Sequence, residues 1–163
     1  IENFRKDMKN IRNLMVMFLA AAFVAVSCDK NDLSQPKEYL DVNANNIAGS
    51  WELVEWNGAP LTAGTYVYLD IVRNGKTYTM YQNLDSFSEL PHVVTGRYNL
   101  DTDPVLGAII RGNYDYDSGD WAHRYIIKDL TKDSMVWIAK DNAEFVQHFV
   151  RIESIPVADD KEE

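Results

Sequence analysis

The clearest structural signal lies in residues 65–84, TYVYLDIVRNGKTYTMYQNL. Apolar and polar side chains alternate on both sides of the dipeptide Asn74-Gly75, and β-branched and aromatic residues are frequent there. Asn-Gly is favoured in two-residue hairpin turns because both residues tolerate positive φ angles. The stretch therefore predicts two antiparallel strands joined by a tight turn at Asn74-Gly75.

The same rhythm of short strands and turns continues over about residues 47–155, without a convincing helix. Turn-forming residues separate the runs at 101–104, 115–120 and 131–134. The predicted strands are 50–57, 65–73, 76–84, 92–100, 105–114, 121–130, 135–140 and 144–152. They predict an all-β fold, an eight-stranded antiparallel up-and-down barrel, because closing the sheet removes both of its exposed edges.

Alternation along these strands also predicts which side chains face the interior. The inward set is Val67, Leu69, Ile71, Tyr78, Met80, Gln82, Val94, Gly96, Tyr98, Leu100, Ile110, Gly112, Tyr114, His123, Tyr125, Ile127, Met135, Trp137, Ala139, Phe145, Gln147, Phe149 and Arg151. The first strand stays open, because Trp51, Leu53 and Glu55 compete with Val54 and Trp56 for the inner face.

Residues at both ends of this region resemble a known family. Gly49-Ser50-Trp51 in the first strand and Arg151 in the last are similar to the Gly-x-Trp and terminal-strand arginine of the lipocalin and calycin superfamily. The resemblance implies that the arginine packs over the tryptophan at the closed end of the barrel, as a favourable cation–π contact.

More specifically, an ordered set of matches over residues 47–157 resembles the lipocalin-like lipoproteins of Bacteroidetes. The matches are LVEWNG at 53–58, MYQ at 80–82, GRY at 96–98, GNY at 112–114, Trp121, and FVR at 149–151. The C-terminal helix and disulfide of simple lipocalins are not legible in this sequence.

Residues 8–28, MKNIRNLMVMFLAAAFVAVSC, have the pattern of a bacterial export signal that ends at a lipid-attachment cysteine, Cys28. The 13 uncharged residues 14–26 are few for a ~30 Å hydrocarbon core, which needs roughly 20 residues. A transmembrane anchor is the alternative. We expect a cell-envelope protein that is lipid-anchored through Cys28, in the outer membrane, with exposure at the cell surface left open.

The predicted organisation has four parts. They are a signal peptide at 1–27, in which 1–7 are an upstream extension or a misassigned start, a flexible lipidated tether at 28–46, the barrel at 47–157, and an acidic tail at 158–163. The whole chain has a net charge of −9, and removal of 1–27 leaves −11. This charge repels phosphates, so we expect no nucleic-acid binding.

Five inward aromatic residues are the candidate ligand-binding residues: Tyr78, Tyr98, Tyr114, Tyr125 and Trp137. An eight-stranded barrel has an interior that side chains can fill or that can hold one small ligand. These residues are therefore either core or the lining of a pocket in which hydroxyls and an indole N–H orient a guest.

Catalytic patterns are poor, so we expect no enzyme, no catalytic residue and no cofactor. The three histidines, His92, His123 and His148, fall on separate predicted strands without metal-ligand spacing. His123 is interpreted as a tolerated polar residue. A weak metal-site candidate lies in the turn at 115–120, where Asp115, Asp117 and Asp120 flank a glycine, although a plain turn explains these residue types as well.

The functional hypothesis is a membrane-anchored barrel that binds a small apolar or aromatic ligand. One alternative is a module that uses acidic barrel-end loops to bind a basic protein partner, such as a cationic hydrolase that it inhibits. Another alternative is a subunit of an outer-membrane assembly. The sequence leaves these alternatives open.

Overall fold

The computed structural model of the protein describes residues 37–84, 92–116 and 118–156. Within these ranges one helical turn and nine strands follow each other. They are α1 Ala44–Ile47, β1 Gly49–Trp56, β2 Ala59–Pro60, β3 Val67–Val72, β4 Thr77–Gln82, β5 His92–Asp103, β6 Gly107–Tyr114, β7 Tyr125–Lys128, β8 Ser134–Ala139 and β9 Asn142–Ile152.

From β3 onwards each strand pairs antiparallel with the next, and β9 returns to pair with β1. The eight strands β1 and β3–β9 therefore close a barrel, which confirms the predicted fold. The two-residue strand β2 was not predicted. It pairs with the end of β1, at Trp56↔Ala59 and Glu55↔Pro60, beyond the part of β1 that pairs with β3.

The hairpin of β3 and β4 forms as predicted, with pairing from Val67↔Gln82 to Val72↔Thr77. Its turn is longer than the predicted Asn74-Gly75 pair, because residues 73–76 all lie outside the ladder. Positive φ angles fall on Gly75, at 81°, and on Lys76, at 50°. The Lys76 carbonyl accepts the Tyr98 N–H of β5 at 2.8 Å, which holds Lys76 out of the hairpin.

A β-bulge settles the open register of β1. The pairing with β9 shifts between Leu53 and Glu55, so the alternation changes phase there. Trp51 and Leu53 are buried in the core, Glu55 is exposed, and Trp56 points inward again at the end of the strand. Both competing sets thus contribute to the interior.

The closed end of the barrel centres on Trp51, which is fully buried. Its Nε1 donates to the Ile47 carbonyl of α1 at 2.9 Å, and the guanidinium carbon of Arg151 lies 4.0 Å from its ring centroid. Gly49 has a φ of +120°, and a Cβ there would overlap the guanidinium. Only glycine therefore allows the arginine to lie at this place.

Arg151 also joins three chain segments. Its guanidinium donates to the carbonyls of Ala48 at 2.7 Å, Asn46 at 2.8 Å and Lys132 at 2.6 Å. The side chain of the last strand thereby fixes the segment that leads into β1 and the turn before β8.

Residues 40–46, which were predicted to belong to the tether, contact the barrel. The Leu40 N–H donates to the Leu130 carbonyl at 2.8 Å, and Leu40 and Val42 pack against the core. Asn43 caps α1 by accepting two backbone N–H groups at 2.9 and 3.0 Å. The packed domain therefore begins before the predicted residue 47.

The predicted signal peptide, Cys28 and the tail at 158–163 lie outside the described residues. Among the residues that the structure describes, no helix is long and apolar enough to cross a membrane.

Candidate ligand-binding site

A pocket of about 250 Å³, partly open to solvent, lies in the barrel near the end of β1, away from Trp51. Its lining is mostly apolar and aromatic. The lining residues are Leu53, Trp56, Val67, Met80, Gln82, Leu84, Tyr114, Trp121, Ala122, Tyr125, Trp137, Gln147 and Phe149. The barrel is thus filled at one end and hollow at the other.

Three of the five predicted ligand-binding residues line this pocket: Tyr114, Tyr125 and Trp137. The Trp137 ring packs between those of Tyr125 and Phe149, at centroid distances of 5.4 and 5.0 Å. Strands β6, β7 and β8 therefore bring together side chains that are far apart in sequence.

Tyr78 and Tyr98 are core residues instead, with only 2% and 1% of their surface exposed. The Tyr78 hydroxyl donates to the Asn113 carbonyl at 3.2 Å, and the Tyr98 hydroxyl donates to the Val72 carbonyl at 3.4 Å. Both hydroxyls already have partners in the barrel wall, and neither residue lines the pocket, so the prediction of these two as ligand-binding residues is not supported.

Trp121 also lines the pocket and was absent from the predicted set. A strand was predicted from residue 121, but β7 begins at Tyr125, so Trp121 comes from the connection between β6 and β7. Its ring lies 5.0 Å from Tyr78, 5.9 Å from Trp137 and 6.3 Å from Tyr125. Its Nε1 donates to the Tyr78 hydroxyl at 2.7 Å, which fixes the indole in the barrel mouth.

Two glycines make room for this aromatic group. A Cβ on Gly112 would overlap the Trp121 ring, and a Cβ on Gly96 would overlap Tyr78 and the Asn113 carbonyl. The backbone N–H of Trp121 also donates to the Gly112 carbonyl at 2.9 Å. Both glycines were predicted to face inward, and glycine inside a strand often marks a close approach. This signal indicates where a large side chain crosses the barrel.

Further aromatic side chains pack against the lining residues Trp56 and Tyr125. Trp56 meets Phe145 edge to face at a centroid distance of 5.3 Å, and the His123 ring lies 4.9 Å from Phe145. His123 Nδ1 is 2.9 Å from a carboxylate oxygen of Asp141, and this hydrogen bond lowers the pKa of Asp141. His123 is therefore paired with a carboxylate and does not line the pocket, contrary to its predicted inward position.

Four polar groups of the lining have no hydrogen-bond partner among the described residues. They are the hydroxyls of Tyr114 and Tyr125, the side-chain amide of Gln147 and the indole N–H of Trp56. Burial raises the pKa of Tyr125 to about 12, with smaller contributions from Tyr114 and Asp141. Tyr125 is thus a neutral hydrogen-bonding group at physiological pH. These four groups are available to water or to a ligand.

The weak metal-site candidate gains no support in the described part of the chain. The Asp115 carboxylate accepts the Thr95 hydroxyl at 2.7 Å, Asp120 is exposed, and Asp117 lies outside the described residues. The described residues contain no group of three or more His, Cys, Asp or Glu side chains that could hold a metal ion.

Comparisons with known proteins agree with this architecture. A family model for a lipocalin-like domain matches residues 47–137, from α1 to the pocket residue Trp137. No curated protein and no solved structure matches the chain. The matched segment spans more than half of the 163 residues, and the chain therefore belongs to the lipocalin-like domain family, as Gly49, Trp51 and Arg151 predicted.

Proposed function

We propose that the protein binds a compact apolar ligand with one aromatic ring in the pocket around Trp121. The observation that carries this proposal is a pocket walled by aromatic side chains, with four polar groups that have no hydrogen-bond partner among the described residues. Ligand sites are commonly apolar cavities with a few polar groups that fix orientation. The lipocalin-like barrel supports the same reading.

The size of the pocket limits the ligand. Its volume is about 250 Å³, whereas an apolar cavity of about 150 Å³ binds benzene in another protein and drug-sized ligands need roughly 300–1,000 Å³. One ring with short substituents fits, and a long acyl chain or a fused polycycle does not. Edge-to-face contacts with Trp121, Tyr125 and Trp137 favour an aromatic ring over an aliphatic one.

We propose binding rather than catalysis for this site. The tyrosine hydroxyl of Tyr125 stays protonated at physiological pH, because burial raises its pKa to about 12, so it donates a hydrogen bond and is a poor base. His123 is paired with Asp141 and does not line the pocket, and the described lining contains no serine, cysteine or lysine nucleophile.

We further propose that Cys28 carries lipid and holds the barrel at a membrane of the cell envelope. The support is the sequence of residues 8–28, in which a short apolar run ends at the only cysteine of the chain. Labelled palmitate should enter the wild-type protein in a bacterial host, and Cys28→Ser should abolish both labelling and recovery with membranes.

The binding proposal is tested with 4-methylphenol, a one-ring probe with one hydroxyl. We expect a Kd between about 10 μM and 1 mM for a ligand of this size. Saturating probe should stabilise the protein against heat, by roughly 2.7 kcal/mol at a concentration of 100 Kd. Calorimetric titration gives the affinity independently.

A matched pair of variants locates the binding. Gln147 lines the pocket and lacks a side-chain partner among the described residues, so Gln147→Phe should fill the space and abolish binding. Glu144 is exposed on the same strand, so Glu144→Phe should leave binding unchanged. Absence of binding by the wild-type protein would instead favour the acidic-loop module that binds a basic protein.

A further inference from the structure

The barrel has only a short length of strand pairing between β6 and β7. These strands share only two residue pairs, Ile109↔Ile126 and Ile110↔Tyr125. Further along β6 the segment 119–121 takes the place of a strand, and its backbone makes two hydrogen bonds to β6 at 2.7 and 2.9 Å. One stretch of chain, rather than a full ladder, therefore borders this side of the pocket.

A groove of about 310 Å³ lies on the outer side of this stretch. Trp121 and Ala122 line both the groove and the inner pocket. Ala122 also borders a second outer depression, which contains Arg124 and Lys140. The pocket and the outer groove thus adjoin at Trp121 and Ala122, and Ala122 is exposed.

The outer groove is lined by charged hydrogen-bond donors, whereas the inner pocket is mostly apolar. Arg111 and Arg124 both line it, but Arg111 is already paired with Asp101 at 2.9 Å. Arg124 is exposed, and its guanidinium has no partner among the described residues. Arg124 follows Ala122 by two residues, so their Cα atoms are at most about 7 Å apart along an extended chain.

Two carboxylates lie near Arg124. Asp141 is hydrogen-bonded to His123, whereas Asp120 lines the groove without an ion pair to a described residue. Asp120 therefore opposes an anion, and the free guanidinium of Arg124 attracts one. Lys140 adds a positive charge beside Arg124, although Asp103 lies 3.7 Å from its ammonium group.

We propose that the ligand is an aromatic anion, whose ring occupies the inner pocket and whose carboxylate or other acidic group passes Ala122 to meet Arg124. This inference rests on the proposed function and specifies its ligand class. Aromatic walls hold the ring, and the guanidinium forms a charge-assisted hydrogen bond to the acid. The site then selects an acid although the whole protein is acidic.

The experiment compares two probes of equal ring size, neutral 4-methylphenol and anionic 4-methylbenzoate, at pH 7 by calorimetric titration. Arg124→Gln removes the charge at a side chain without a hydrogen bond or ion pair among the described residues. Lys132→Gln is the matched control, because it makes the same charge change at a side chain that is 85% exposed and far from the groove. Asp120→Asn removes the opposing carboxylate.

We expect the wild-type protein to bind 4-methylbenzoate more tightly than 4-methylphenol. Arg124→Gln should weaken the binding of 4-methylbenzoate by about two- to five-fold, which is the range expected for a partly exposed charge pair. It should leave the affinity for 4-methylphenol unchanged. Asp120→Asn should strengthen the binding of 4-methylbenzoate by about two-fold, and Lys132→Gln should change the affinity for neither probe.

The outcomes separate the two proposals. If 4-methylphenol binds but 4-methylbenzoate binds no better, or if Arg124→Gln and Lys132→Gln act alike, the ligand class proposed here is wrong and the pocket proposal stands. If neither probe binds, the proposed function fails and this inference fails with it.

Discussion

Replacement of Trp121 by alanine should destabilise the domain by about 3 kcal/mol. Truncation of a buried tryptophan costs about 3–5 kcal/mol, and we take about 2 kcal/mol because Trp121 is half-buried at the barrel mouth. Loss of the 2.7 Å hydrogen bond from Nε1 to the Tyr78 hydroxyl adds about 1 kcal/mol. The sum is a large part of the 5–15 kcal/mol that is typical of a domain.

Urea unfolding, followed by far-ultraviolet circular dichroism, measures this change. Trp121→Phe keeps an aromatic ring against Gly112 and removes the N–H donor, so it should cost only about 1 kcal/mol. Val105→Ala is the surface control, because Val105 is 87% exposed, and it should stay within about 0.5 kcal/mol of the wild type.

The reasoning about Trp121 is refuted if Trp121→Ala is no more destabilising than Val105→Ala. That result would mean that the indole does not occupy the barrel mouth in solution. Equal effects of Trp121→Ala and Trp121→Phe would refute the packing part of the argument alone and leave the hydrogen bond as the main contribution.

Three further predictions concern the closed end, the glycine contact and pH. Arg151→Met should cost about 4 kcal/mol in urea unfolding, because it removes three hydrogen bonds and the contact with Trp51; a loss under 1 kcal/mol contradicts this. Gly112→Ala should displace Trp121, at about 1–3 kcal/mol, and change the near-ultraviolet circular dichroism; an unchanged spectrum counts against it. Burial raises the pKa of Tyr125 to about 12, above the unfolded value near 10. The stability that the protonated hydroxyl gives to the folded protein is therefore complete below pH 10 and is lost as pH rises towards 12. Tyr125→Phe should reduce this alkaline fall of the urea midpoint, and an equal fall in the variant refutes the assignment.

The number and direction of the barrel strands could be predicted because alternation and turn residues are local signals. The 65–84 hairpin is the clearest case, since its register follows from the pattern on either side of Asn74-Gly75. Its turn differed by two residues because a contact from β5, the Tyr98 N–H to the Lys76 carbonyl, is not encoded locally.

The pocket was predicted less completely, for two physical reasons. The bulge after Leu53 shifts the phase of β1 and turns Trp56 inward, and alternation alone cannot locate such a shift. Trp121 enters the barrel from a connection rather than from a strand, so no periodicity marks it. Predictions on long regular strands, such as Trp137 in β8, were correct in their inward orientation.

The four tryptophans provide the most direct test of the central claim that the barrel mouth binds a one-ring ligand. Three of them, Trp56, Trp121 and Trp137, line the pocket, and Trp51 lies at the closed end. Their indole N–H signals should be followed by nuclear magnetic resonance during titration with 4-methylphenol. We predict saturable shifts of the three pocket signals and a constant Trp51 signal, whereas four unchanged signals, or a shift confined to Trp51, would contradict the account.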